Sequence, residues 1–364
     1  MQALAVFPSK KSLQLVDIPQ PKLQDATGVL LRVREVGLCG TDREISAFEY
    51  GSPPPGSDHL ILGHESLADV VEVGHRVRSF HPGDLVVAIV RRPCSHPECR
   101  PCRAGRSDFC ITGDFTERGI KQADGFLTEY TLDEEEYLVK VPRALADVAV
   151  LIEPLTVVSK AAVQARAVLD RLPYEPGLQR GLVLGAGPVG LLGAMVLVAG
   201  GYDTVVYSRE PEGGDKSKLV QSLGASYVSA ASQPIETLAE LTGKFDVIFE
   251  AVGVAVVMMA AGRLLRANGV AVLTGIPAEG AATEIVVGRS LRDLVLKNQA
   301  VFGTVNAGRR DYVSAIQQLE QFMTLFPESV RRLITHRIPL ADAARTLSHG
   351  GGIKSVVQLN MDAA

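Results

Sequence analysis

The chain has 364 residues, of which 46% are hydrophobic and 21% are charged, so it can fill two packed domains and is not mainly disordered. Its 37 basic and 41 acidic residues give a net charge of −4, which argues against nucleic acid or an anionic membrane as the principal partner. Five cysteines are too few for a disulfide scaffold, and their clustering indicates metal chemistry in a reducing compartment.

The first part of the chain, to about residue 155, is predicted to form a compact, mainly antiparallel, barrel-like domain. Short β-type runs such as 29–33, 67–73 and 84–90 are separated there by Gly, Pro and Asp. The N-terminus has no basic segment followed by a long apolar stretch. We therefore expect no signal peptide and a cytoplasmic protein.

Three places in this domain offer ligands for a metal ion. Cys39 lies on a glycine-flanked turn, His64 and Glu65 are adjacent, and Glu153 stands where the first domain passes into the second. Sulfur, nitrogen and carboxylate ligands together suit a catalytic zinc ion with an exchangeable position. Each residue also has an ordinary structural interpretation, for example Cys39 as a small buried hydrophobe, and spacing alone does not join them.

The most specific signal is a four-cysteine lobe at about 91–112, with the pattern C-x4-C-x2-C-x7-C formed by Cys94, Cys99, Cys102 and Cys110. Four thiolates in so short a loop can form a closed tetrahedral zinc shell, which is typical of a structural site. The alternative is four unligated or oxidised cysteines. We interpret the neighbouring arginines as a solvated positive face of the lobe; they are Arg91, Arg92, Arg100, Arg103 and Arg106.

After about residue 155 the pattern changes to alternating helices and short apolar strands. Helices are predicted at 156–169 and 216–223, and strands at 181–184, 204–207, 227–228, 245–249, 270–273 and 300–302. Such alternation is typical of a parallel sheet covered by helices on both faces. A further helix at 311–325 leads into a tail that ends in the strand-like run 354–359.

The segment 181–202 carries no charge and has the length of a membrane span. Its seven glycines and Pro188 instead favour a strand, a tight turn and the start of a helix. The turn, Gly185-Ala186-Gly187-Pro188-Val189-Gly190, has the G-x-G-x-x-G pattern. In a dinucleotide site the first glycine allows the turn, the second admits the pyrophosphate and the third lets helix and strand pack closely. The alternative is a glycine turn without a ligand.

The end of the second strand of this domain indicates which cofactor binds. An NAD site usually places a carboxylate there for the ribose hydroxyls, whereas this chain reads Ser208-Arg209-Glu210. A hydroxyl and a guanidinium suit a 2′-phosphate, so we predict NADP as the preferred cofactor, with some tolerance for NAD. In the alternative, Arg209 is solvated and Glu210 binds the ribose.

Taken in order, the Gly63-His64-Glu65 and Gly83-Asp84 motifs, the four-cysteine lobe and the glycine turn resemble the zinc-dependent medium-chain dehydrogenase/reductase superfamily over essentially the whole chain. The segments 114–120, 124–126, 152–155 and 303–306 look like its glucose (aldose) dehydrogenase branch. The resemblance implies a GroES-like β-barrel catalytic domain at 1–155 and 306–364. It also implies a Rossmann-type doubly wound domain at 156–305, with the active site in the cleft between the domains.

The resemblance also implies roles for the candidate residues. Cys39, His64 and Glu65 would hold the catalytic zinc, with Glu153 as a direct or water-mediated fourth ligand, and Thr41 would contact the substrate oxygen and the nicotinamide ribose. Glu117 and Asn306 would bind sugar hydroxyls, and Lys354 would lie against the pyrophosphate. The other implied cofactor contacts are Gly185, Gly187, Pro188, Val189, Gly190, Ser208, Arg209, Thr274, Ile276, Thr304 and Asn306.

The implied reaction oxidises an aldose, most simply D-glucose, at C1 to the aldonolactone, with hydride transfer to NADP or NAD. The alternatives are a polyol or secondary-alcohol dehydrogenase of the same superfamily and a non-catalytic NADP-binding protein. The resemblance further implies a homo-oligomer that pairs through the strand at 300–302, either a dimer or the tetramer common in bacterial relatives.

Overall fold

In a computed structural model of the chain, the structure describes residues 1–174, 177–278 and 288–360. The strands are β1 (Gln2–Phe7), β2 (Ser12–Asp17), β3 (Gly28–Leu38), β4 (Leu60–Ile61), β5 (Glu65–Val73), β6 (Leu85–Ala88), β7 (Arg91–Arg92), β8 (Thr116–Arg118), β9 (Gln122–Ala123), β10 (Tyr130–Glu134), β11 (Leu138–Lys140), β12 (Arg180–Leu184), β13 (Asp203–Ser208), β14 (Ser226–Ser229), β15 (Phe245–Glu250), β16 (Leu265–Leu273), β17 (Ala300–Gly303), β18 (Ile334–Pro339) and β19 (Lys354–Gln358).

The helices are α1 (Gly40–Ser46), α2 (Arg100–Arg103), α3 (Ile152–Leu169), α4 (Pro188–Ala199), α5 (Asp215–Ser222), α6 (Leu238–Thr242), α7 (Ala255–Leu264), α8 (Gly288–Leu296), α9 (Arg309–Leu325), α10 (Pro327–Arg331) and α11 (Ala343–His349). The six strands predicted between residues 181 and 302 are confirmed, and the only large difference is that β16 begins at Leu265 rather than Val270.

The chain forms two compact units. The first comprises Met1–Glu153, Asn306–Leu319 and Ile334–Ala364, and the second comprises Pro154–Val305 and Glu320–Leu333. All of 306–364 is predicted to belong to the first domain, whereas residues 320–333 pack with the second unit, in which the hydroxyls of Ser222 and Ser329 lie 2.9 Å apart. Residues 279–287 and 361–364 of the predicted domains lie outside the described residues.

The main sheet of the first unit has the order β11-β6-β5-β3-β19-β18, with β10 also paired to β3. Strand β3 runs antiparallel to β5, β10 and β19, and its side chains Val29, Leu31 and Val33 are fully buried. The register pairs Gly37 with Glu65. The end of β3 therefore lies beside the start of β5, where the predicted metal ligands stand.

The second unit is built on a six-stranded parallel sheet with the order β14-β13-β12-β15-β16-β17, which confirms the predicted doubly wound topology. Strand β12 lies between β13 and β15, so the glycine turn that follows it stands where the strand order reverses, the usual ligand site of such sheets. The segment 181–202, which has the length of a membrane span, is a strand, a turn and the 12-residue helix α4. Among the described residues no helix is long and apolar enough to cross a membrane.

Strand β17 is an edge of this sheet and contains the run 300–302 that we expect to pair between subunits. Pairing between two copies of the chain stays a prediction.

Candidate active site and cofactor site

The first metal-binding cluster forms where β3 and β5 meet. Cys39 follows β3 directly and stands at the N-terminus of α1, while His64 immediately precedes β5. The Cys39 Sγ lies 3.1 Å from His64 Nε2, and the ligand atoms of Cys39, His64 and Glu65 all lie within 4.8 Å of one another. The structure thus brings together three residues that spacing alone could not join, and their donors suit zinc.

Asp42, which the sequence analysis missed, orients both Cys39 and His64. Its Oδ2 accepts a hydrogen bond from the Cys39 backbone N–H at 2.9 Å, and its Oδ1 lies 3.3 Å from His64 Nδ1. Asp42 is completely buried. A carboxylate behind the second ring nitrogen of a histidine is the usual support of a metal-ligating imidazole. The position of Asp42 three residues after Cys39, as in a capping box, is the signal that could have found it.

The electrostatics of this cluster favour a positive charge at its centre. Burial disfavours the charged form of His64, but the Cys39 sulfur and the Asp42 carboxylate outweigh it and raise the histidine pKa well above its usual value. Burial likewise opposes ionisation of Asp42, yet His64 and the Cys39 N–H lower the pKa of this carboxyl. The Cys39 sulfur and the Asp42 carboxylate flank the imidazole on two sides, so a metal cation that displaces its Nε2 proton fits the same arrangement.

The structure corrects the role assigned to Lys354. Its Nζ donates to Glu65 Oε1 at 2.7 Å, to Glu65 Oε2 at 2.6 Å and to the Leu38 carbonyl at 3.1 Å, and the residue is 1% exposed. It is therefore enclosed beside the zinc-ligand cluster and is not available to a pyrophosphate. Each Glu65 oxygen retains a second lone pair, so this ion pair does not exclude Glu65 as a metal ligand.

The other two residues predicted to take part in catalysis are Glu153 and Thr41. Glu153 does not belong to the three-residue ligand cluster, although the charges of His64 and Glu65 act on it. Burial raises the pKa of the Glu153 carboxyl to about 7. Thr41 is half-buried in the first turn of α1. Direct zinc ligation by Glu153 and substrate contact by Thr41 stay predictions.

The four-cysteine lobe has the dimensions of a zinc–thiolate site. The Sγ atoms of Cys94 and Cys102 lie 3.7 Å apart, and those of Cys99 and Cys110 lie 3.8 Å apart. A tetrahedral shell with Zn–S bonds of about 2.3 Å requires S···S separations of about 3.8 Å, whereas a disulfide bond measures about 2.05 Å. All four cysteines are free thiols, so the oxidised alternative does not apply and the sulfurs fit one zinc ion.

The two residues predicted to bind sugar hydroxyls meet in the first unit. Asn306 Nδ2 donates to Glu117 Oε1 at 2.7 Å, and Arg91 Nε donates to the same oxygen at 3.0 Å. The interpretation of Arg91 and Arg92 as solvated is wrong, because both guanidinium groups are largely buried in ion pairs, with Glu117 and Asp133 respectively. The short pairing of β7 with β8 buries Arg91, and no periodic pattern of residues around position 91 predicts this burial.

The glycine turn of the second unit matches the requirements of a dinucleotide site. Gly185 has φ of 109°, which disfavours any other residue. A side chain at Gly190 would lie 2.1 Å from the Gly185 carbonyl oxygen, whereas at Gly187 the space is open to 4 Å. Gly190 thus allows α4 to pack on β12, and the opening at Gly187 leaves room for a pyrophosphate at the helix N-terminus, beside Pro188 and Val189.

The loop between β13 and α5 carries two carboxylates, Glu210 and Glu212, and that of Glu210 is held in internal contacts. Ser208 Oγ donates to Glu210, and Lys216 forms an ion pair with the same carboxylate. Burial opposes ionisation of Glu210, but these two partners lower the pKa of its carboxyl. Arg209 is exposed. The exposed charges of this loop are the Arg209 guanidinium and the Glu212 carboxylate. A guanidinium suits a 2′-phosphate, and the preference for NADP stays a prediction.

The three residues predicted to line the nicotinamide side lie after strands β16 and β17. Thr274 Oγ1 donates to the Glu250 carbonyl at 2.7 Å, and Ile276 is 67% exposed. The Thr304 hydroxyl is buried and has no hydrogen-bond partner within the part of the chain that the structure describes. A buried hydroxyl of this kind normally finds a partner, and a bound cofactor would supply one.

Comparison with known proteins identifies the family of the chain. Residues 25–143 match the family description "Alcohol dehydrogenase GroES-like domain", and residues 146–359 match "Glucose dehydrogenase C-terminus". The chain is 39% identical to a glucose 1-dehydrogenase of Methanocella arvoryzae over 95% of this chain and 96% of that protein. It is 40% identical to glucose 1-dehydrogenase 1 of Caldivirga maquilingensis over 99% of both chains.

Among solved structures, it is similar to Haloferax mediterranei glucose dehydrogenase in complex with NADP, Zn and gluconolactone. That similarity has a TM-score of 0.90 and 30% identity and covers 99% of each chain. The predicted GroES-like and Rossmann-type folds are confirmed. The chain belongs to the glucose dehydrogenase branch of the zinc-dependent medium-chain dehydrogenase/reductase superfamily.

Proposed function

We propose that this protein oxidises D-glucose at C1 to gluconolactone and transfers the hydride to NADP, with NAD as a weaker acceptor. The hydrogen-bonded pair of Glu117, which is buried, and Asn306, which is partly buried, carries the proposal, because a carboxylate and an amide in a protected site suit a substrate rich in hydroxyl groups. The Haloferax mediterranei protein, whose structure contains NADP, Zn and gluconolactone, supports the same reaction.

The chain would bind two zinc ions with different tasks. Cys94, Cys99, Cys102 and Cys110 would hold a structural ion. Cys39, His64 and Glu65, with Glu153 as a direct or water-mediated partner, would hold a catalytic one. When bound, the catalytic ion supplies a Lewis acid that makes the anomeric hydroxyl easier to deprotonate, and NADP supplies the hydride acceptor.

The protein side chains position the metal ligands, orient the sugar and take up the proton. Asp42 holds the Cys39 turn and the His64 ring in place. Glu117 and Asn306 bind sugar hydroxyls and so orient C1, which replaces a random encounter by an aligned one. The proton that leaves the anomeric hydroxyl is either relayed by the Thr41 hydroxyl, which passes its own proton on to solvent, or accepted by the carboxylate of Glu65 or Glu153.

A substrate panel tests the proposal. The zinc-loaded protein is assayed with aldoses, polyols and secondary alcohols, each with NADP and with NAD, and reduced cofactor is followed by its absorbance. We expect the highest kcat/KM for glucose with NADP. A higher value for a polyol or secondary alcohol than for every aldose would favour the polyol dehydrogenase alternative, and no turnover on any compound would favour a non-catalytic NADP-binding protein.

Cofactor choice should depend on Arg209. We expect Arg209→Ala to raise the KM for NADP by roughly 10- to 150-fold and the KM for NAD much less, because a charge-assisted contact to phosphate contributes about 1.5–3 kcal/mol. Lys218→Ala, which removes an exposed cation from the neighbouring helix α5, is the matched control. It should leave the ratio of the KM for NADP to the KM for NAD unchanged. Equal increases for both cofactors in Arg209→Ala would show that Arg209 does not bind the 2′-phosphate.

Sugar recognition should depend on Glu117. We expect Glu117→Gln to lower kcat/KM for glucose by about 10- to 100-fold, because a charged hydrogen bond to a hydroxyl contributes about 1.5–3 kcal/mol. Turnover of a simple alcohol should be nearly unchanged. Asp133→Asn is the control, since it also breaks a buried ion pair with an arginine in β7. If Glu117→Gln lowers kcat/KM equally for the sugar and for the simple alcohol, Glu117 supports the fold and does not bind the sugar.

A further inference from the structure

Strand β7 contains two adjacent arginines that are alike in burial and differ in partner. The Arg91 side chain is 9% exposed and pairs with Glu117. The Arg92 side chain is 13% exposed and donates to the two oxygens of Asp133 at 2.8 and 2.7 Å. Only Arg91 therefore contacts the carboxylate to which we assign sugar binding.

The Arg91 side chain and backbone are held from several directions. Its guanidinium carbon lies 3.7 Å from the centre of the Phe115 ring, and its Nη1 donates to the Asp108 carbonyl at 3.5 Å. Ser107 Oγ donates to the Arg91 carbonyl at 3.0 Å. Ser107 and Asp108 belong to the short turn of 3₁₀ helix Ser107–Phe109, which Cys110 follows directly, so the four-cysteine lobe fixes the arginine.

The hydrogen bonds to Glu117 orient its carboxylate. Arg91 Nε and Asn306 Nδ2 both donate to Oε1, at 3.0 and 2.7 Å. These are the two side-chain hydrogen bonds that the described residues make to this carboxylate, so Oε2 is the oxygen left to accept from a hydroxyl of the substrate. The β7–β8 register places Arg91 directly opposite Glu117, which leaves the pair little freedom to rearrange.

We propose that Arg91 is a positioning residue for sugar recognition: it fixes Glu117 so that Oε2 faces the substrate, and the 107–110 segment of the lobe holds Arg91 in place. This inference rests on the proposed role of Glu117. Arg91 also balances the charge of a nearly buried carboxylate, which would be costly to leave unpaired. A rigidly oriented acceptor distinguishes the direction of sugar hydroxyls, so Arg91 acts on stereochemical selectivity through Glu117.

The test compares Arg91→Lys and Arg91→Met with Arg92→Lys and Arg92→Met. We expect the Arg91 variants to lower kcat/KM for glucose about tenfold and to reduce its preference over the C2 and C4 epimers, because a lysine cannot reproduce the planar Nε contact. The Arg92 variants lose a comparable ion pair and should keep the epimer ratios. Unchanged ratios in both Arg91 variants would overturn the inference. Melting temperature and zinc content are measured for each variant, and Arg91→Lys carries the test if Arg91→Met folds poorly.

A double-mutant cycle separates this inference from the proposed function. If Arg91 acts through Glu117, Arg91→Met adds little to the loss already caused by Glu117→Gln, whereas independent effects multiply. Multiplied losses would overturn the inference. If Glu117→Gln impairs sugar oxidation and the Arg91 variants do not, only the role of Arg91 fails. If Glu117→Gln leaves sugar kinetics unchanged, the assignment of Glu117 fails and the role of Arg91 with it.

Discussion

Replacing Cys39 by Ala is expected to reduce kcat/KM for glucose by a factor on the order of a thousand, because Lewis-acid stabilisation of a developing oxyanion contributes several kcal/mol. Cys39 would supply the sulfur ligand of the cluster that it forms with His64 and Glu65. Its replacement leaves the His64–Asp42 contact in place, so the melting temperature should change little. The measurements are steady-state kinetics, metal analysis and thermal unfolding of the same preparation.

The metal analysis makes the Cys39 prediction decisive. We expect zinc to fall from two ions per chain to one, with the remaining ion in the four-cysteine lobe. Full zinc content with full activity would show that Cys39 is not a ligand. A loss of stability as large as the loss of activity would show that the cluster is structural rather than catalytic.

Replacing Cys102 by Ser should mainly lower the thermal stability, whereas replacing Cys39 should mainly lower the activity. Cys102 is buried, and its sulfur lies 3.7 Å from that of Cys94. Zinc binding to four thiolates is linked to folding, so loss of the ion should lower the melting temperature by on the order of 10 °C and remove about one zinc per chain. Unfolding is followed by circular dichroism or calorimetry.

The control for Cys102→Ser is Cys39→Ala, which removes a cysteine from the other cluster. Retained thermal stability together with abolished catalysis in Cys102→Ser would contradict a structural role for the lobe. Residual activity below the transition temperature is expected, since the cluster of Cys39, His64 and Glu65 contains no lobe residue.

Features that depend on local pattern could be predicted from the sequence. The strands of the second unit are short apolar runs separated by helical segments, and this periodicity is sufficient to predict the parallel sheet. The four-cysteine lobe spans only 17 residues from Cys94 to Cys110, so its ligand set is visible in the spacing. The glycine turn is likewise contiguous: Gly185 has the positive φ, Gly190 the close approach and Gly187 the open space that the pattern predicts.

Features that depend on strand register could not be predicted in the same way. Lys354 and Glu65 are 289 positions apart and meet because β19 and β5 both pair with β3. Nothing near residue 354 reveals that partner. Arg91 was misjudged for a related reason, since a charged residue beside a loop is usually solvated, and only the pairing of β7 with β8 encloses it.

The long-range pairing of Glu65 with Lys354 also affects how the protein is made. At a synthesis rate of about 5–20 residues per second, Lys354 leaves the ribosome about 15–60 s after Glu65. Throughout that interval Glu65 lacks the cation that accompanies it in the finished molecule. The second unit, which ends at Leu333, is translated completely before β19 exists. The order of translation therefore completes the second unit first and leaves the surroundings of Cys39, His64 and Glu65 to be closed later by β19.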